Sequence, residues 1–299
     1  MPLLVVGTVA YDSIQTPSGQ VTEETGGSAT YFSLAASRFA HVRLVAAVGE
    51  DFPDERRAIF AERDIDTSAL EVVPGGLTFR WAGRYEGDMN VAETLDTQLN
   101  VLGTFQPRLS PGCAKTPFVF LANAAPRVQA SVLDQTPGRR FAMLDTMNLW
   151  IDHERDALLE VLRRVDGVVM NDEEARSLTG ERNLIRAGNR VLELGPKVAL
   201  IKKGEHGAFL FSTYMFHALP AYPVGEVVDP TGAGDSFAGG LMGYLARTGR
   251  VTIGNLKRGM VYGTVAASFT VEDFGTRALA QATRDDFEVR FHEFLHFVT

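Results

Sequence analysis

The sequence predicts an α/β fold in which a doubly wound, mainly parallel β-sheet is flanked by helices, with a small second β-sheet beside it. Three observations carry this prediction. Short apolar runs alternate with segments of helical period along most of the chain. Residues 75–103 instead alternate apolar and polar positions, as in TFRWAGRYEG. The 299 residues and the hydrophobic content of 45% suffice for a sizeable core.

Six short apolar runs are the predicted strands of the main sheet. They are rich in Val, Leu, Ile and Phe, and helix-period segments separate most of them. In chain order the runs are Leu3–Val6, Val42–Val48, Phe118–Leu121, Phe141–Leu144, Val168–Met170 and Val198–Ile201. An alternating order of strands and helices implies that helices cover both faces of the sheet and that ligands bind beyond the carboxyl ends of its strands.

Residues 75–103 are predicted to form antiparallel strands, because no helical period persists there. Together with residues from about 12 to 25 they can form a small sheet that projects from the main domain. The sequence contains no internal repeat and no obvious interdomain linker. Residues 1–299 are therefore interpreted as one domain that carries this additional sheet.

Composition and charge exclude several classes of protein. No segment approaches the roughly 18 uninterrupted apolar residues of a membrane span, and the first residues, MPLLVVGTVAYD, lack the basic region of a signal peptide. We therefore expect a cytoplasmic protein with no membrane partner. The net charge of −8 argues against a nucleic-acid-binding surface. The lone Cys113 excludes an internal disulfide and a multi-cysteine metal site.

The run DPTGAGDSFAGG, from Asp229 to Gly240, carries the chemistry. Val224, Val227 and Val228 before it are interpreted as the end of a strand, and a helix with a buried apolar face follows it. Gly-Ala-Gly then lies on a strand-to-helix turn, where backbone N–H groups and the helix N-terminus attract an anion.

Asp235 stands at the same helix N-terminus, where a carboxylate often only stabilises the helix. Gly239, Gly240 and Gly243 lie within the helix and each costs about 1 kcal/mol relative to Ala, so something must approach the backbone there. The combination suits a base that takes a hydroxyl proton while nearby amides bind a transferring phosphoryl group.

The segment VVDPTGAGDSFAGG, Val227–Gly240, closely resembles the signature of the ribokinase or PfkB-type carbohydrate and nucleoside kinases. The resemblance implies a ribokinase-like fold whose small sheet is a lid over the sugar site, with ATP and Mg²⁺ as cofactors. It also implies that Asp235 is the catalytic base and that Gly232, Ala233 and Gly234 form the anion hole.

The resemblance extends to the acceptor site. Asp12 after the first strand matches a substrate-binding aspartate of the family, and Gly26 with Gly27 matches a Gly-Gly segment that contacts substrate. Asp12 alone would also suit a turn, and the glycines a flexible one. Thr30 stands nearest to the place of a common family Asn, and Ser28 is a plausible N-cap of the following helix.

Two polar residues follow neighbouring strands in the middle of the chain. Asn123 and Asp145 lie where a doubly wound sheet presents ligands, although both residue types also form turns. We assign Asn123 to the acceptor site. Asp145 lies in LDTMNLW, which loosely matches a family stretch but lacks its Arg, so its contribution is left open.

Metal sites are implied by two segments. Asn171 and Glu174 in MNDEEA match the Asn-x-x-Glu motif that organises Mg²⁺, through water, in this family; a helix cap is the alternative. Asp229 and the backbone of Thr231 match part of a monovalent cation site, with K⁺ as the expected ion. The longer run FTVEDFG after Ser268 fits that site poorly.

The nucleotide site is implied by IKKGEHGAFLF, a strand, a Gly-containing turn and a second strand. By resemblance Lys202, Gly204 and Gly207 line ATP, and Lys202 replaces a more usual Thr. Lysine there would meet phosphate charge or point to solvent. Tyr262 and Ser268 would border adenine and ribose, with ordinary core packing as the alternative.

A competing motif ends the chain, because His292–His296 reads HEFLH, the HExxH pattern of zinc peptidases. A catalytic zinc needs a third protein ligand, and only three residues follow. Phe291, Phe294, Leu295 and Phe297 form an apolar stripe typical of a packing helix.

The sequence therefore predicts an ATP-dependent sugar kinase that transfers the γ-phosphoryl group to a hydroxyl, expected to be primary, with Asp235 as base. A nucleoside kinase is the alternative, because Phe79, Trp81 and Tyr85 in the lid can stack on a base. A non-catalytic sensor on the same fold is a further alternative. No GxxxxGK[ST] run occurs, so a P-loop mechanism is not expected. The edge strands of the lid can pair with a second copy, giving a homodimer.

Overall fold

The computed structural model describes residues 1–298, and these contain thirteen strands. In chain order the strands are β1 (Leu3–Val6), β2 (Ala10–Thr16), β3 (Gly19–Gly26), β4 (Val42–Gly49), β5 (Asp66–Val73), β6 (Phe79–Tyr85), β7 (Ala92–Gln98), β8 (Phe118–Leu121), β9 (Phe141–Asp145), β10 (Gly167–Asn171), β11 (Val198–Lys202), β12 (Ala208–Ser212) and β13 (Met215–Leu219).

Twelve α-helices lie between and after the strands of the described chain. They are α1 (Ser28–Ala36), α2 (Asp54–Ala61), α3 (Pro111–Ala114), α4 (Pro126–Gln135), α5 (Asn148–His153), α6 (Arg155–Leu162), α7 (Asp172–Thr179), α8 (Leu184–Glu193), α9 (Ala233–Thr248), α10 (Ile253–Thr270), α11 (Arg277–Gln281) and α12 (Arg284–Val298). Short 3₁₀ turns occur at Asn100–Gly103 and Gly204–His206.

The large sheet has the strand order β13-β12-β11-β10-β9-β8-β1-β4-β5. From β11 to β5 all neighbours are parallel, whereas β12 and β13 are added as antiparallel strands. All six predicted strands are present within one or two residues of their predicted bounds. The prediction of a doubly wound, mainly parallel sheet is confirmed.

Both faces of the large sheet are covered, which explains its continuous apolar runs. Along β1, Leu3 and Val5 pack into the core formed with α1, α9, α10 and α12, while Leu4 and Val6 pack into the core formed with α4, α6, α7 and α8. The period of two along the strand sends alternate side chains to opposite faces. Phe237, Leu241 and Leu245 are buried in the first core, as their spacing predicted.

The second sheet has the order β3-β2-β6-β7. The predicted segments 12–25 and 75–103 do supply its strands, so the small accompanying sheet is confirmed. The predicted antiparallel pairing within residues 75–103 is confirmed, because β6 and β7 run antiparallel, whereas β2 and β6, which join the two segments, run parallel. These two strands come from distant parts of the chain, so no hairpin turn fixes their direction.

Two local predictions are wrong. Val224, Val227 and Val228 belong to no strand; the segment between β13 and α9 is irregular, and it contains Pro220, Pro223 and Pro230, which cannot donate to a ladder. Ser28 is not the cap of α1. Gly27 occupies that position, and Ser28 is the first helical residue, with its hydroxyl bonded to Thr8 and to the Asn123 carbonyl.

The glycines within α9 allow neighbouring helices to approach closely. A Cβ added to Gly239 would lie 2.4 Å from the Phe32 carbonyl oxygen of α1, and one added to Gly240 would lie 2.5 Å from the Tyr262 carbonyl oxygen of α10. The glycines of α9 predicted that something approaches the helix backbone closely. The groups that do so are backbone atoms of α1 and α10. This approach fixes the axis of α9, and with it the direction of the turn at residues 232–234, which is called the catalytic turn after the role that the sequence predicts for it.

Replacing Gly240 by Ala should destabilise the fold. The intrinsic helix preference of Ala is worth up to about 1 kcal/mol in its favour, but the clash with the α10 backbone should outweigh it and cost about 1–3 kcal/mol net. Urea unfolding measures the difference. Gly254→Ala is the matched control, because nothing lies within 4 Å of its added Cβ; it should be neutral or stabilising. Equal stability of the two variants would contradict the helix-packing explanation.

Candidate active site

The catalytic turn is built where α9 begins. Gly232 is the N-cap, with φ of 75°, and a Cβ there would lie 2.3 Å from the ring of Tyr31. Only glycine satisfies both conditions. The Ala233 N–H donates to the Pro230 carbonyl at 3.2 Å, so at most the Gly232 and Gly234 amides can bind an anion without losing an internal hydrogen bond.

Three neighbouring parallel strands end at one edge of the sheet and bring charged groups to this turn. β9 ends at Asp145, β10 at Asn171 and β11 at Lys202, with Asn171 and Lys202 in register. Lys202 Nζ donates to Asp145 Oδ2 at 3.1 Å, and their side chains are 18% and 6% exposed. The same Nζ lies 2.7 Å from the point where a Cβ of Gly234 would be. An ammonium group therefore lies directly against the first turn of α9.

The charges around this lysine shift the acidities of the site. Loss of water contact and the nearby Asp145 raise the pKa of Asp235 to about 7, although Lys202 opposes the rise. The same influences raise the pKa of Glu174 to about 8. Burial lowers the pKa of Lys202, but Asp145, Glu174 and Asp235 outweigh it and raise the pKa overall. Lys202 is therefore charged, and Asp235 exchanges its proton near neutral pH, as a general base should.

Asp12 lies on β2, against the Gly-Gly pair of Gly26 and Gly27. Its Oδ2 accepts from the Gly27 N–H at 3.2 Å and would lie 2.0 Å from a Cβ of Gly26. Burial, together with Asp229 and Asp235, raises the pKa of Asp12 to about 7. Gly27, with φ of 92°, lies against the Thr8 carbonyl, 2.6 Å from its added Cβ. The glycines thus position the Asp12 carboxylate.

The two remaining residues assigned to the acceptor site have different surroundings. Asn123 is held from both ends: its Nδ2 donates to Met147 Sδ at 3.0 Å, and its Oδ1 accepts from Trp150 Nε1 at 2.9 Å. Thr30 is fully buried, and its Oγ1 has no hydrogen-bond partner among residues 1–298. The predicted role of each in binding stays a prediction.

The small sheet contacts the body of the protein at the catalytic turn. Thr231 Oγ1 donates to the Tyr85 hydroxyl at 3.3 Å, and Thr16 Oγ1 donates to the Val228 carbonyl at 2.8 Å. On the same face of β6, the Trp81 indole covers Gly83, where a Cβ would lie 2.1 Å from the ring. The Cα atoms of Asp12 and Trp81 are partners in the pairing of β2 with β6, while the Trp81 indole Nε1 donates to Thr94 Oγ1 of β7 at 3.3 Å.

A cavity of about 280 Å³ opens on the far side of the turn. Four of the residues predicted to line ATP border it, namely Lys202, Gly204, Gly207 and Ser268. Gly234 and Phe237 of α9 form another part of its wall. The first turn of α9 therefore borders the cavity through Gly234, and its Asp235 interacts electrostatically with Asp12.

One further wall of this cavity, the turn between β6 and β7, was not predicted from the sequence. Asp88, Met89 and Asn90 line the cavity, and Asn90 Oδ1 would lie 2.1 Å from a Cβ of Gly204. The sequence pattern of this turn is that of an exposed turn. No local feature of it predicts that the turn lines the cavity. Only the pairing of β6 with β2 brings it there.

A family model described as pfkB family carbohydrate kinase matches residues 3–283. The chain belongs to this family. It is therefore a phosphotransferase with an alcohol group as acceptor, and the resemblance found at Val227–Gly240 is confirmed. The prediction that the chain is an enzyme is confirmed.

Individual relatives of this pfkB family kinase can be compared along most of its length. A cytidine kinase from Thermococcus kodakarensis is 32% identical over 251 residues, which are 82% of this chain and 88% of that protein. The nucleoside kinase of Methanocaldococcus jannaschii superposes with a TM-score of 0.78 at 20% identity, over 98% of both chains. An E. coli chain solved with ATP and Mg²⁺ superposes with a TM-score of 0.77 at 18% identity, over 97% of this chain and 99% of that one.

The residues of this pfkB kinase fit a water-mediated Mg²⁺. Asp145, Glu174 and Asp235 all act electrostatically on the single Lys202, and burial followed by the charge of Asp145 raises the pKa values of Glu174 and Asp235. Among residues 1–298, no three His, Cys, Asp or Glu side chains are close enough to hold a metal ion by themselves. Mg²⁺ usually keeps several waters and takes few protein ligands, so a sparse site suffices.

Asn171 and Glu174 also form a reciprocal helix cap. Asn171 Oδ1 accepts from the Glu174 N–H, and Glu174 Oε2 accepts from the Asn171 N–H, each at 2.7 Å. The capping alternative raised by the sequence is therefore present. It leaves Glu174 Oε1 as the oxygen through which this residue can orient a metal-bound water.

The residues assigned to the monovalent cation do not fit one well. Asp229 Oδ1 accepts from the Thr231 N–H and Oδ2 from the Gly275 N–H, both at 2.9 Å. The Val271 carbonyl accepts from the Val228 N–H at 2.8 Å. The two loops that would enclose K⁺ are thus already joined by hydrogen bonds of the protein, and we derive no step through this ion.

Tyr262 is a correction, because its side chain lies in the helix core. Its ring stacks on Phe291 at 4.3 Å and on Tyr244 at 5.0 Å, and its hydroxyl donates to Glu288 at 2.8 Å. It does not line the nucleotide cavity. The position on α10 was predicted correctly, but the period of the helix turns this side chain toward α12 and away from Ser268.

The HEFLH motif lies on α12 and serves packing. Glu293 Oε2 accepts from the Tyr222 hydroxyl at 2.9 Å, and His292 makes an edge contact with Phe291. No third ligating side chain joins them within the described part of the chain.

Among residues 1–298, no helix is both long and apolar enough to cross a membrane.

Replacing Lys202 by Met should move the acid limb of the kcat/KM profile to higher pH. Lys202 lowers the pKa of Asp235, so its removal should raise that pKa further, by about one unit or more. Lys202→Arg should keep the profile close to that of the wild type. Lys203→Met is the control, since Lys203 Nζ lies over the Phe209 ring. An unchanged limb in Lys202→Met would contradict the electrostatic role.

Proposed function

We propose that this chain is an ATP-dependent, Mg²⁺-requiring kinase that transfers the γ-phosphoryl group of ATP to a primary hydroxyl of a nucleoside. The observation that carries the proposal is the position of Asp235. Its carboxylate stands in the first turn of α9, next to Gly234 of the cavity wall, and it interacts electrostatically with both Lys202 and the buried Asp12. A base in that place meets the hydroxyl of the acceptor and the phosphoryl group of the donor together.

In the proposed mechanism Asp235 accepts the proton of the acceptor hydroxyl as the hydroxyl oxygen bonds to the γ-phosphorus, and the bond from that phosphorus to the β–γ bridging oxygen breaks to release ADP. The Gly232 and Gly234 amides, at the positive end of α9, bind the charge on the transferring group. Lys202 adds a positive charge next to Gly234, and its hydrogen bond to Asp145 holds the ammonium group in place. When bound, Mg²⁺ neutralises phosphate charge, and Glu174 and Asn171 are placed to orient its waters.

Two observations favour a nucleoside over a free sugar, which was the first expectation from the sequence. The relative from Thermococcus kodakarensis, 32% identical over 82% of this chain, is a cytidine kinase. Trp81 is the β6 partner of Asp12 in the lid sheet, and its half-buried indole offers a flat apolar surface on which a base can stack. A nucleoside also carries the sugar hydroxyls that Asp12 is suited to bind.

A sugar kinase remains the second candidate, because the family model that matches residues 3–283 describes carbohydrate kinases. The same indole can close over the apolar face of a sugar ring. The reaction and the roles of Asp235 and Asp12 are the same in both cases, so the two candidates differ only in what occupies the space beneath the lid.

The proposal includes a homodimer formed through the lid. β7 is an edge strand, and the exposed Val91, Leu95 and Leu99 lie along it or just beyond its ends. Unpaired edge strands readily add a strand from another chain. Sedimentation of the purified protein should give a dimer, which Leu95→Lys should weaken; a monomeric wild type would contradict this part.

The kinase proposal is tested by ATP-to-ADP turnover with Mg²⁺ across a panel of nucleosides, free sugars and polyols. Nucleosides should give the highest kcat/KM, and Asp235→Asn should lower turnover by about 10²–10⁴-fold. Asp134→Asn on α4, a surface aspartate paired with Arg164, is the control and should retain activity. Highest activity on a free sugar would select the second candidate, and a fully active Asp235→Asn would refute the base assignment.

The same variant should be more stable than the wild type at pH 8. An aspartate of ordinary pKa near 3.8 that rises to about 7 on folding binds more protons in the folded state between these values. Its folded form is therefore penalised as pH rises through this window, and the penalty is complete above about pH 7. Asparagine carries no charge and escapes it. Thermal unfolding at pH 8 and pH 5 should show a gain for Asp235→Asn that is larger at pH 8.

A further inference from the structure

Tyr31 is a buried phenol that none of the roles above uses. It lies on α1, four residues after Gly27, with 1% of its surface exposed. Its hydroxyl has no hydrogen-bond partner among the described residues. A buried polar group left unpaired costs about 1–3 kcal/mol, and native proteins rarely contain one without a reason. Phenylalanine would avoid this cost at the same place.

The ring of Tyr31 is fixed by the catalytic turn. It occupies the space of a side chain at Gly232, 2.3 Å from the added Cβ, and Gly232 itself has a positive φ of 75°. The short hydroxyls of Thr30 and Ser33 on the same helix, also unpartnered, can rotate toward a helix carbonyl. A phenol hydroxyl is held at the far end of a rigid ring and has no such choice.

The groups around this hydroxyl belong to the acceptor side of the site. Asp12, Asp229, Tyr85 and Asp235 all act on it electrostatically, and with burial they raise the pKa of Tyr31 well above its usual range. Tyr31 is therefore protonated and can donate a hydrogen bond. Two of these neighbours are engaged elsewhere, since Asp229 accepts from Thr231 and Gly275, and Tyr85 accepts from Thr231.

We propose that Tyr31 is a specificity-determining residue, whose hydroxyl donates a hydrogen bond to a hydroxyl oxygen of the acceptor that is not phosphorylated. The inference rests on the proposed function, because it requires a hydroxyl-bearing acceptor beside Asp12. An ionised carboxylate only accepts hydrogen bonds, whereas a phenol can donate one. Asp12 and Tyr31 together therefore complete the two bonds of a hydroxyl group, one as acceptor and one as donor.

This pairing selects for a hydroxyl at one position of the acceptor. A deoxy analogue would leave both buried groups unpaired, and sites built around such groups discriminate strongly against ligands that lack the partner. An ether at that position would keep the bond from Tyr31 but lose the bond to Asp12. On this proposal, the residue that recognises this hydroxyl lies on α1 and not in the lid.

The decisive variant is Tyr31→Phe, assayed with the best acceptor from the panel. Its KM for that acceptor should rise at least about tenfold, while kcat stays within threefold and the KM for ATP is unchanged. Its melting temperature should equal or exceed that of the wild type, because an unpaired hydroxyl is removed. Tyr244→Phe on α9, a buried tyrosine in the helix core, is the control and should leave every kinetic constant unchanged.

A double-mutant cycle with deoxy acceptors identifies the contact. One deoxy analogue, such as the 2′ or the 3′ form of a nucleoside, should lose kcat/KM strongly with the wild type and much less with Tyr31→Phe. Equal losses for every analogue in both proteins, with an unchanged KM in Tyr31→Phe, would overturn the inference and leave a packing role.

Acceptor binding measured by calorimetry separates this inference from the kinase proposal. If acceptors bind to the wild type and to Asp235→Asn but Tyr31→Phe binds at least tenfold more weakly, the inference stands even where no phosphoryl transfer occurs. If turnover is normal and Tyr31→Phe binds the acceptor as tightly as the wild type, the kinase proposal stands and the inference fails. If no compound of the panel binds the wild-type protein, both fail.

Discussion

The active site depends on one buried ion pair, between Lys202 and Asp145. Three carboxylates, Asp145, Glu174 and Asp235, lie around the lysine and all raise its pKa. Removing the cation would break its buried pair with Asp145, and breaking such a pair typically costs about 3–5 kcal/mol. The pair also holds the ammonium against Gly234, so the group that compensates the carboxylates points to where phosphate charge develops.

The neighbouring strand ends explain why these groups meet. Parallel strands β9, β10 and β11 present their carboxyl ends at one edge, and each contributes a polar residue there. The helix N-terminus of α9 faces the same edge, and its axis is set by close contact with α1 and α10 through Gly239 and Gly240. Charge and packing are therefore coupled, because a shift of α9 would move Asp235 and its amides away from Lys202 together.

The site is held in a state that favours chemistry over stability. The pKa values of Asp12 and Asp235 rise to about 7 and that of Glu174 to about 8, so the folded protein is penalised when these groups ionise. The unpartnered hydroxyl of Tyr31 adds to the penalty. Groups of this kind concentrate at functional sites, and here all four lie within the same few strand ends and helix starts.

The sequence by itself determined the alternating strand pattern, the kinase family and the place of Asp235, because each is written in a contiguous segment with its own periodicity or signature. It could not determine partners far apart in the chain. Lys202 and Asp145 are 57 residues apart in the sequence. Lys202 forms an ion pair and does not point to solvent because the strand order brings Asp145 close to it. Likewise, Tyr262 turns into the helix core and the Tyr31 ring lies against Gly232 because packing among α1, α9, α10 and α12 fixes which face of each helix is inside.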